Sequence, residues 1–322
     1  MSGAGNQMIN IEHILCPVDL TLNSDKALRY AAALARAYGS KLFVCHCAKE
    51  LAPRGTVAHL EERQEIKRAI KRSYDLSVGD DYTLALDWES IVVEDHNPAE
   101  GITREARERG VDLIVMCSRR RPVAAALLGS TAESVYRTAP CPVLVTHPDQ
   151  REWVDDSTGT ADLKRVLVAH DFSDYSELAL RYALSTAQEY QAEVHLLHVL
   201  PPPVFSEPEI AWAPSTVEGT YHEAARGLQQ AVPGEAYLWC TVKTAVRWGK
   251  PYREILSYAR ENEIDLIYMG AHGNGFEMQA LFGSNVDRVI RQSACPVLVA
   301  RPLKGSSVLA GSQAEAALGN MS

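Results

Sequence analysis

Ile14-Leu-Cys-Pro-Val-Asp19 and Val166-Leu-Val-Ala-His-Asp171 are two apolar runs that each end on an aspartate, and the chain that follows them superposes without a gap. Ala27-Leu-Arg-Tyr-Ala31 falls on Ala179-Leu-Arg-Tyr-Ala183 and His46 on His198, all at an offset of 152. Further on, Val111-Asp-Leu-Ile-Val-Met116 falls on Ile264-Asp-Leu-Ile-Tyr-Met269 at an offset of 153. Gly129-Ser130 and Cys141-Pro-Val-Leu-Val145 then fall on Gly283-Ser284 and Cys295-Pro-Val-Leu-Val299 at 154. Solenoid repeats have periods of roughly 20–50 residues, whereas a period near that of a whole domain marks one domain duplicated in tandem. The expected division is a first unit at 10–148, a polar linker at 149–161, a second unit at 162–303 and a Gly-, Ser- and Ala-rich flexible tail at 304–322.

Within each unit, short apolar runs alternate with helical patterns. Leu163–Ala169, Val194–Leu200, Ala236–Val246, Leu266–Met269 and Val297–Ala300 have strand length, and their continuous hydrophobicity suits strands covered on both faces. Between them, Tyr175–Tyr190 carries Leu178, Leu180, Tyr182, Ala183, Leu184 and Ala187 on one face, with Ser173 or Asp174 available as cap. Tyr252–Asn262 follows Pro251, a residue suited to a first helical turn. This alternation predicts an α/β fold of two doubly wound units, each a mostly parallel five-stranded sheet with helices on both faces. Such sheets bind ligands at the carboxyl ends of their strands.

The 322 residues are 46% hydrophobic and 23% charged, ordinary usage for a folded chain. A net charge of −9 argues against nucleic acid as partner. Seven cysteines without a CxxC pair read as buried thiols, and no apolar run approaches the ~20 residues of a membrane span, so a cytoplasmic location is expected.

The segment that carries chemistry is Met269-Gly-Ala-His-Gly273, followed after nine residues by Gly283-Ser284. Glycines there let successive N–H groups approach phosphate oxygens, and Ser284 is expected to cap a helix over Asn285–Gln292 whose start favours an anion. The same glycines also suit tight turns.

The spacing G-x2-G-x9-G-[ST] at Gly270, Gly273, Gly283 and Ser284 resembles the ATP-binding signature of the universal stress protein family, whose fold is that of the adenine nucleotide alpha-hydrolase-like group. The flanks Ile264-Asp-Leu-Ile-Tyr-Met-Gly270 and Ala294-Cys-Pro-Val-Leu-Val299 agree, and so do the opening Val166–Ser173 and the segment Glu193–Val199. The resemblance covers essentially all of 162–302 and, more weakly, 10–148. It implies that Asp171 and Val199 lie near an adenine, Met269 and Gly270 near the ribose, and Gly273, Gly283, Ser284 and the amide of Asn285 at the phosphates, with Mg²⁺ as companion ion. Ala169 departs from the proline usual in the family. Asp171 has a second reading as a helix-capping carboxylate.

The first unit keeps Pro17, Asp19, Gly129 and Ser130, but Cys117 and Arg120 replace the early glycines and only eight residues separate Arg120 from Gly129. One competent nucleotide site per chain is therefore expected, in the second unit. Ser118-Arg-Arg-Arg121 reads as a solvated basic loop, with an anion site built from Arg119, Arg120 and Arg121 as the alternative.

Three functions follow. The first is an ATP-binding stress-response regulator in which nucleotide biases conformation or binding to an unidentified protein partner. The second is a slow ATP hydrolase, for which His272 is the polar residue inside the motif; no other enzyme chemistry is expected. The third is a nucleotide-independent scaffold. His46 and His198 read as packed strand histidines. Glu61–Asp75, with Leu60, Ile66, Ile70 and Tyr74 at helical intervals, reads as an exposed amphipathic helix, and Pro201–Pro214 as a semi-rigid loop whose Phe205 and Trp212 cover the nucleotide or dock a partner. The resemblance, whose single-domain members often dimerise through the last strand, implies that the terminal strands Pro142–Thr146 and Pro296–Ala300 pair as an internal pseudo-dimer. A further homodimer is compatible with that arrangement and is not legible in the sequence.

Overall fold

The computed structural model describes residues 9–78, 86–118, 130–148, 150–155, 161–202, 213–273 and 283–302, without the side chains of 213–216. The first repeat runs β1 (His13–Pro17), α1 (Leu22–Tyr38), β2 (Lys41–Ala48), α2 (Val57–Val78), β3 (Trp88–Glu94), α3 (Pro98–Glu108), β4 (Leu113–Cys117), α4 (Ser130–Thr138) and β5 (Val143–Thr146). The second runs β6 (Arg165–Ala169), α5 (Asp174–Tyr190), β7 (Glu193–Leu200), α6 (Ala213–Ala231), β8 (Val242–Trp248), α7 (Pro251–Glu261), β9 (Leu266–Gly270), α8 (Ser284–Gln292) and β10 (Val297–Ala300). Ser173 caps α5 by accepting from the Ser176 N–H, and Pro251 opens α7.

All strands join one sheet, in the order β3-β2-β1-β4-β5-β10-β9-β6-β7-β8. Every pairing is parallel except β5 with β10, which is antiparallel and centred on Leu144 opposite Leu298. Those two leucines are repeat equivalents, so the junction is a self-complementary contact of the kind made by two-fold dimers, built into one chain. Side chains alternate across the sheet. Ile14 and Cys16 enter the core under α1, α2, α5 and α6, while Leu15 enters the core under α3, α4, α7 and α8.

Three expectations change. Ala236–Val246 does not form one strand: Gly234–Leu238 is a 3-10 turn after Pro233, and β8 starts only at Val242. Leu60 is exposed on α2, where Ile70 and Tyr74 alone of the four apolar positions are buried. The polar join is more than a tether. Trp153 and Val154 are buried, and the Trp153 ring meets Tyr30 of α1 edge-on at 4.9 Å and Tyr190 of α5 at 5.7 Å. The tail and the Phe205–Trp212 loop lie outside the described residues.

Candidate functional site

In each repeat the strand order reverses between the first and fourth strands, β1 and β4 or β6 and β9. There, successive crossovers leave for opposite faces and open a crevice at the carboxyl ends. Beyond β6 and β9 lies a cavity of about 170 Å³ lined by residues from five segments. Asp171, Val199, Met269, Gly270, Gly273, Gly283 and Asn285, seven of the eight site residues expected from the sequence, line it together. The eighth, Ser284, is exposed and does not line it.

Asp171 sits in the turn between β6 and α5. Its Oδ1 accepts from the Ser173 hydroxyl at 2.5 Å and from the Ser173 N–H at 3.2 Å, so Asp171 holds the cap residue Ser173 in place and is not itself the cap of α5. Its Oδ2 faces Gly273, where an added Cβ would collide with the carboxylate. Phe172, the next residue, has a φ of 62°, and its repeat equivalent Leu20 a φ of 60°. A side-chain-bearing residue in this region stores strain. In the first repeat Asp19 makes the same pair of bonds, to the Thr21 hydroxyl and N–H.

The glycines divide by what the fold itself requires. A Cβ on Gly270 would stand 2.7 Å from the Tyr175 backbone carbon, so Gly270 lets β9 meet the first turn of α5. Gly273 spares the Asp171 carboxylate. At Gly283 an added Cβ would meet only ordinary contacts, 3.5 Å from Val286, and its φ of −57° suits any residue. The fold leaves Gly283 unexplained, whereas a ligand lying against the start of α8 would explain it.

The expected cap at Ser284 is corrected. Gly283 is the N-cap, Ser284 is already the first helical residue, and among the described residues no side chain caps the helix. Asp287 is the first residue of α8 whose N–H reaches back to the Gly283 carbonyl, at 3.3 Å. Among the described residues no acceptor bonds the amides of Ser284, Asn285 and Val286, and the helix dipole makes an anion the fitting one.

Histidines surround the cavity in defined protonation patterns. His198 Nδ1 lies 2.7 Å from the His170 carbonyl, which can only accept, so Nδ1 carries a proton. His46 does the same to the Val18 carbonyl at 2.9 Å, consistent with a packed strand histidine in both repeats. His170 Nδ1 accepts from the Phe172 N–H, leaving Nε2–H for Glu177 Oε1 at 3.1 Å. His272 also lines the cavity, its ring 5.0 Å from that of Tyr175. Burial, then the nearby Arg301 guanidinium, hold its pKa below the ordinary value.

Sequence reading did not single out Ser176, Pro251 and Ile255 as lining residues. Pro251 and Ile255 were legible as the start and buried face of α7, but only the crossover brings that face over the end of β7. Arg119, Arg120, Arg121 and Gly129 of the first repeat lie outside the described residues, so the alternative anion site there has no structural account. Among the described residues no group of three or more His, Cys, Asp or Glu is placed to hold a metal ion, and no helix is long and apolar enough to cross a membrane.

A family model described as "Universal stress protein family" matches residues 10–147 and again 162–301. A universal stress protein of Mycolicibacterium smegmatis is 27% identical over 308 residues, covering 90% of this chain and 97% of its own. One from Mycobacterium tuberculosis is 29% identical over 245 residues, covering 75% and 77%. Among solved structures, a universal stress protein from Archaeoglobus fulgidus superposes with a TM-score of 0.61 at 24% identity, covering 91% of this chain and 99% of that one. A Pseudomonas aeruginosa protein described as functionally unknown gives 0.66 at 19%, covering 97% and 99%.

Proposed function

We propose, from the premise that this chain belongs to the universal stress protein family, that its second repeat binds ATP as a regulatory ligand, one molecule per chain. The observation that carries this reading is the meeting of Asp171, Val199, Met269, Gly270, Gly273, Gly283 and Asn285 around one cavity beside the start of α8, which no described side chain caps. The residues fit the ligand. Backbone N–H groups of α8's first turn would hold phosphate oxygens, the glycine at 283 leaves room for them, and Asp171 and Val199 would border the adenine. Mg²⁺ would arrive with the phosphates, which would supply most of its ligands. The units proposed are 10–148 and 162–303, with 149–161 between them and 304–322 beyond. A bound nucleotide would bias the placement of α8 and so the surface offered to a protein partner.

Calorimetry with ATP tests the reading. Gly283→Val should fold, since it costs at most about 1 kcal/mol in cap preference, yet lose binding. Gly129→Val should bind like the parent chain. Equal loss in both, or binding retained by Gly283→Val, would overturn the single-site reading.

The weak-hydrolase reading is favoured by one observation, the neutral His272 in the cavity, able to accept a proton from water. Phosphate release at saturating ATP, abolished by His272→Ala with binding intact, would establish it. Release unaffected by that substitution would remove His272 from any such role.

A further inference from the structure

The two edges of the ten-stranded sheet are β3 and β8, and they are repeat equivalents with different surroundings. Buried Ile70, Tyr74 and Val78 of α2 correspond to buried Ala224, Leu228 and Val232 of α6, a constant offset that fixes the equivalence of the remaining positions. On α2, Lys67, Arg68 and Lys71 flank β3; at the matching positions α6 has Tyr221, His222 and Ala225. These three helix cations therefore belong to the first repeat alone, whereas the other edge carries its basic residues Lys243 and Arg247 on β8 itself.

Lys67, Arg68 and Lys71 line an open groove of about 440 Å³ with Trp88, Glu89 and Ser90 of β3. Lys71 pairs with Asp75 at 2.7 Å, whereas Lys67 and Arg68 make no ion pair with any described residue. The one acid in the lining, Glu89, is taken up on the opposite face of the sheet, 3.5 Å from Lys41 and 3.6 Å from Arg109, both of which lie over Phe43. The wall beneath the cations is apolar: Trp88 stacks on Tyr74 at 4.0 Å and 11°.

The backbone of β3 supplies the other half of the site. The Asp87 carbonyl accepts from the Leu42 N–H, and the Asp95 N–H donates to the Ala48 carbonyl, so odd-numbered residues of β3 bond inward to β2. In a parallel ladder alternate residues point both backbone groups to one side, so Trp88, Ser90 and Val92 direct theirs outward from the edge. Edges are often guarded by charges on the edge strand itself; here the outward-bonding positions at the groove are uncharged and the cations stand on the neighbouring helix.

We infer that the β3 edge and the α2 cations form a docking groove for an extended acidic peptide, which adds as a further strand and pairs its carboxylates with Lys67, Arg68 and Lys71. Spacing favours a strand. Lys67 and Lys71 are separated by about 6 Å of helical rise, close to the ~6.6 Å between alternate residues on one face of a strand. A chain of net charge −9 holds this cationic rim as a local feature, so the surface selects for acidic partners by contrast with its surroundings. The inference is independent of nucleotide binding in the second repeat.

The test is fluorescence anisotropy on the full chain with a labelled Glu-Val-Glu-Val-Glu-Val-Glu peptide, a Lys-Val counterpart, a version with a central proline, and single-stranded oligo-dT. The acidic peptide should bind, more weakly as salt rises, and the Lys-Val and proline versions should not. Lys67→Glu with Arg68→Glu should weaken binding about tenfold, as expected when two exposed pairs are reversed, with unchanged circular dichroism. Ser90→Pro, which removes an outward N–H at a position where an edge tolerates proline, should weaken it as well. Equal binding of the proline peptide, or indifference to the charge reversal, would overturn strand addition at this edge. Tighter binding of oligo-dT, lost on the same charge reversal, would assign the groove to phosphates instead, and absence of acidic-peptide binding would refute the inference outright.

Discussion

At the scale of single residues, spacing alone could not say why each glycine of the motif is a glycine. Gly270→Ala is expected to destabilise the chain by about 1–3 kcal/mol, because the new Cβ meets Tyr175 backbone that cannot retreat; urea unfolding would show it. Gly283→Val should leave the unfolding curve close to the parent's, which makes it the cleaner probe of a ligand. A buried histidine gives a pH prediction. His195 is 1% exposed, with Nδ1 2.8 Å from the Tyr258 hydroxyl and Nε2 3.0 Å from Glu193 Oε1. Burial holds its pKa below the ordinary value despite Glu193, whose carboxylate Lys243 also engages. The unfolded chain therefore binds the proton more readily than the folded one. Stability should be full above about pH 6.5 and fall as the pH drops below it. His195→Gln should flatten that slope in melting temperatures measured from neutral to mildly acidic pH; an unchanged slope would assign the effect to His272, which is shifted the same way.

At the scale of elements, the repeats solve the same helix end with different residues. α1 stops at Gly39 with a φ of 66°, while α5 stops at the exposed Gln191 with a φ of 54°. Gln191→Gly should raise stability by about 0.5–1 kcal/mol, since only glycine adopts this region without steric cost. The last carbonyls of α4 are held from the other repeat: Arg301 donates to those of Tyr136, Arg137 and Ala139, and its equivalent, the buried His147, lies 2.5 Å from the Ile290 carbonyl of α8. Arg301→Met should cost about 2–3 kcal/mol, the loss of charged hydrogen bonds to carbonyls with little access to water. Helices and most strands were legible because their apolar period declares them. The stretch before β8 was not, because a 3-10 turn that buries only Ala236 and leaves Tyr237 and Leu238 exposed presents the same run of apolar residues as a strand.

At the scale of the whole molecule, the two repeats are bound by more than the β5–β10 ladder. Arg137 pairs with Asp287 and Arg291 with Glu133, a reciprocal exchange between α4 and α8, and Tyr136 donates to Asp287 at 2.7 Å. On the other face Tyr38 meets Thr186 at 3.1 Å, and Tyr190 donates to the Ala33 carbonyl. One cooperative unfolding transition is therefore expected for both repeats. Trp153→Ala should lower its stability by about 3–5 kcal/mol, and two separated transitions in calorimetry would contradict this coupling. The sequence by itself determined the duplication and the α/β class, because repeated apolar patterns are local properties of the chain, while the family resemblance carried by its glycine spacing supplied the pairing of the terminal strands and seven of the residues around the cavity. Only the tertiary structure decided that the polar join packs its tryptophan between α1 and α5, that two of the motif glycines serve packing, and that Lys67, Arg68 and Lys71 of α2 come to line the β3 edge. Those outcomes depend on which residues meet across helices and strands far apart in sequence, and no local pattern records such meetings.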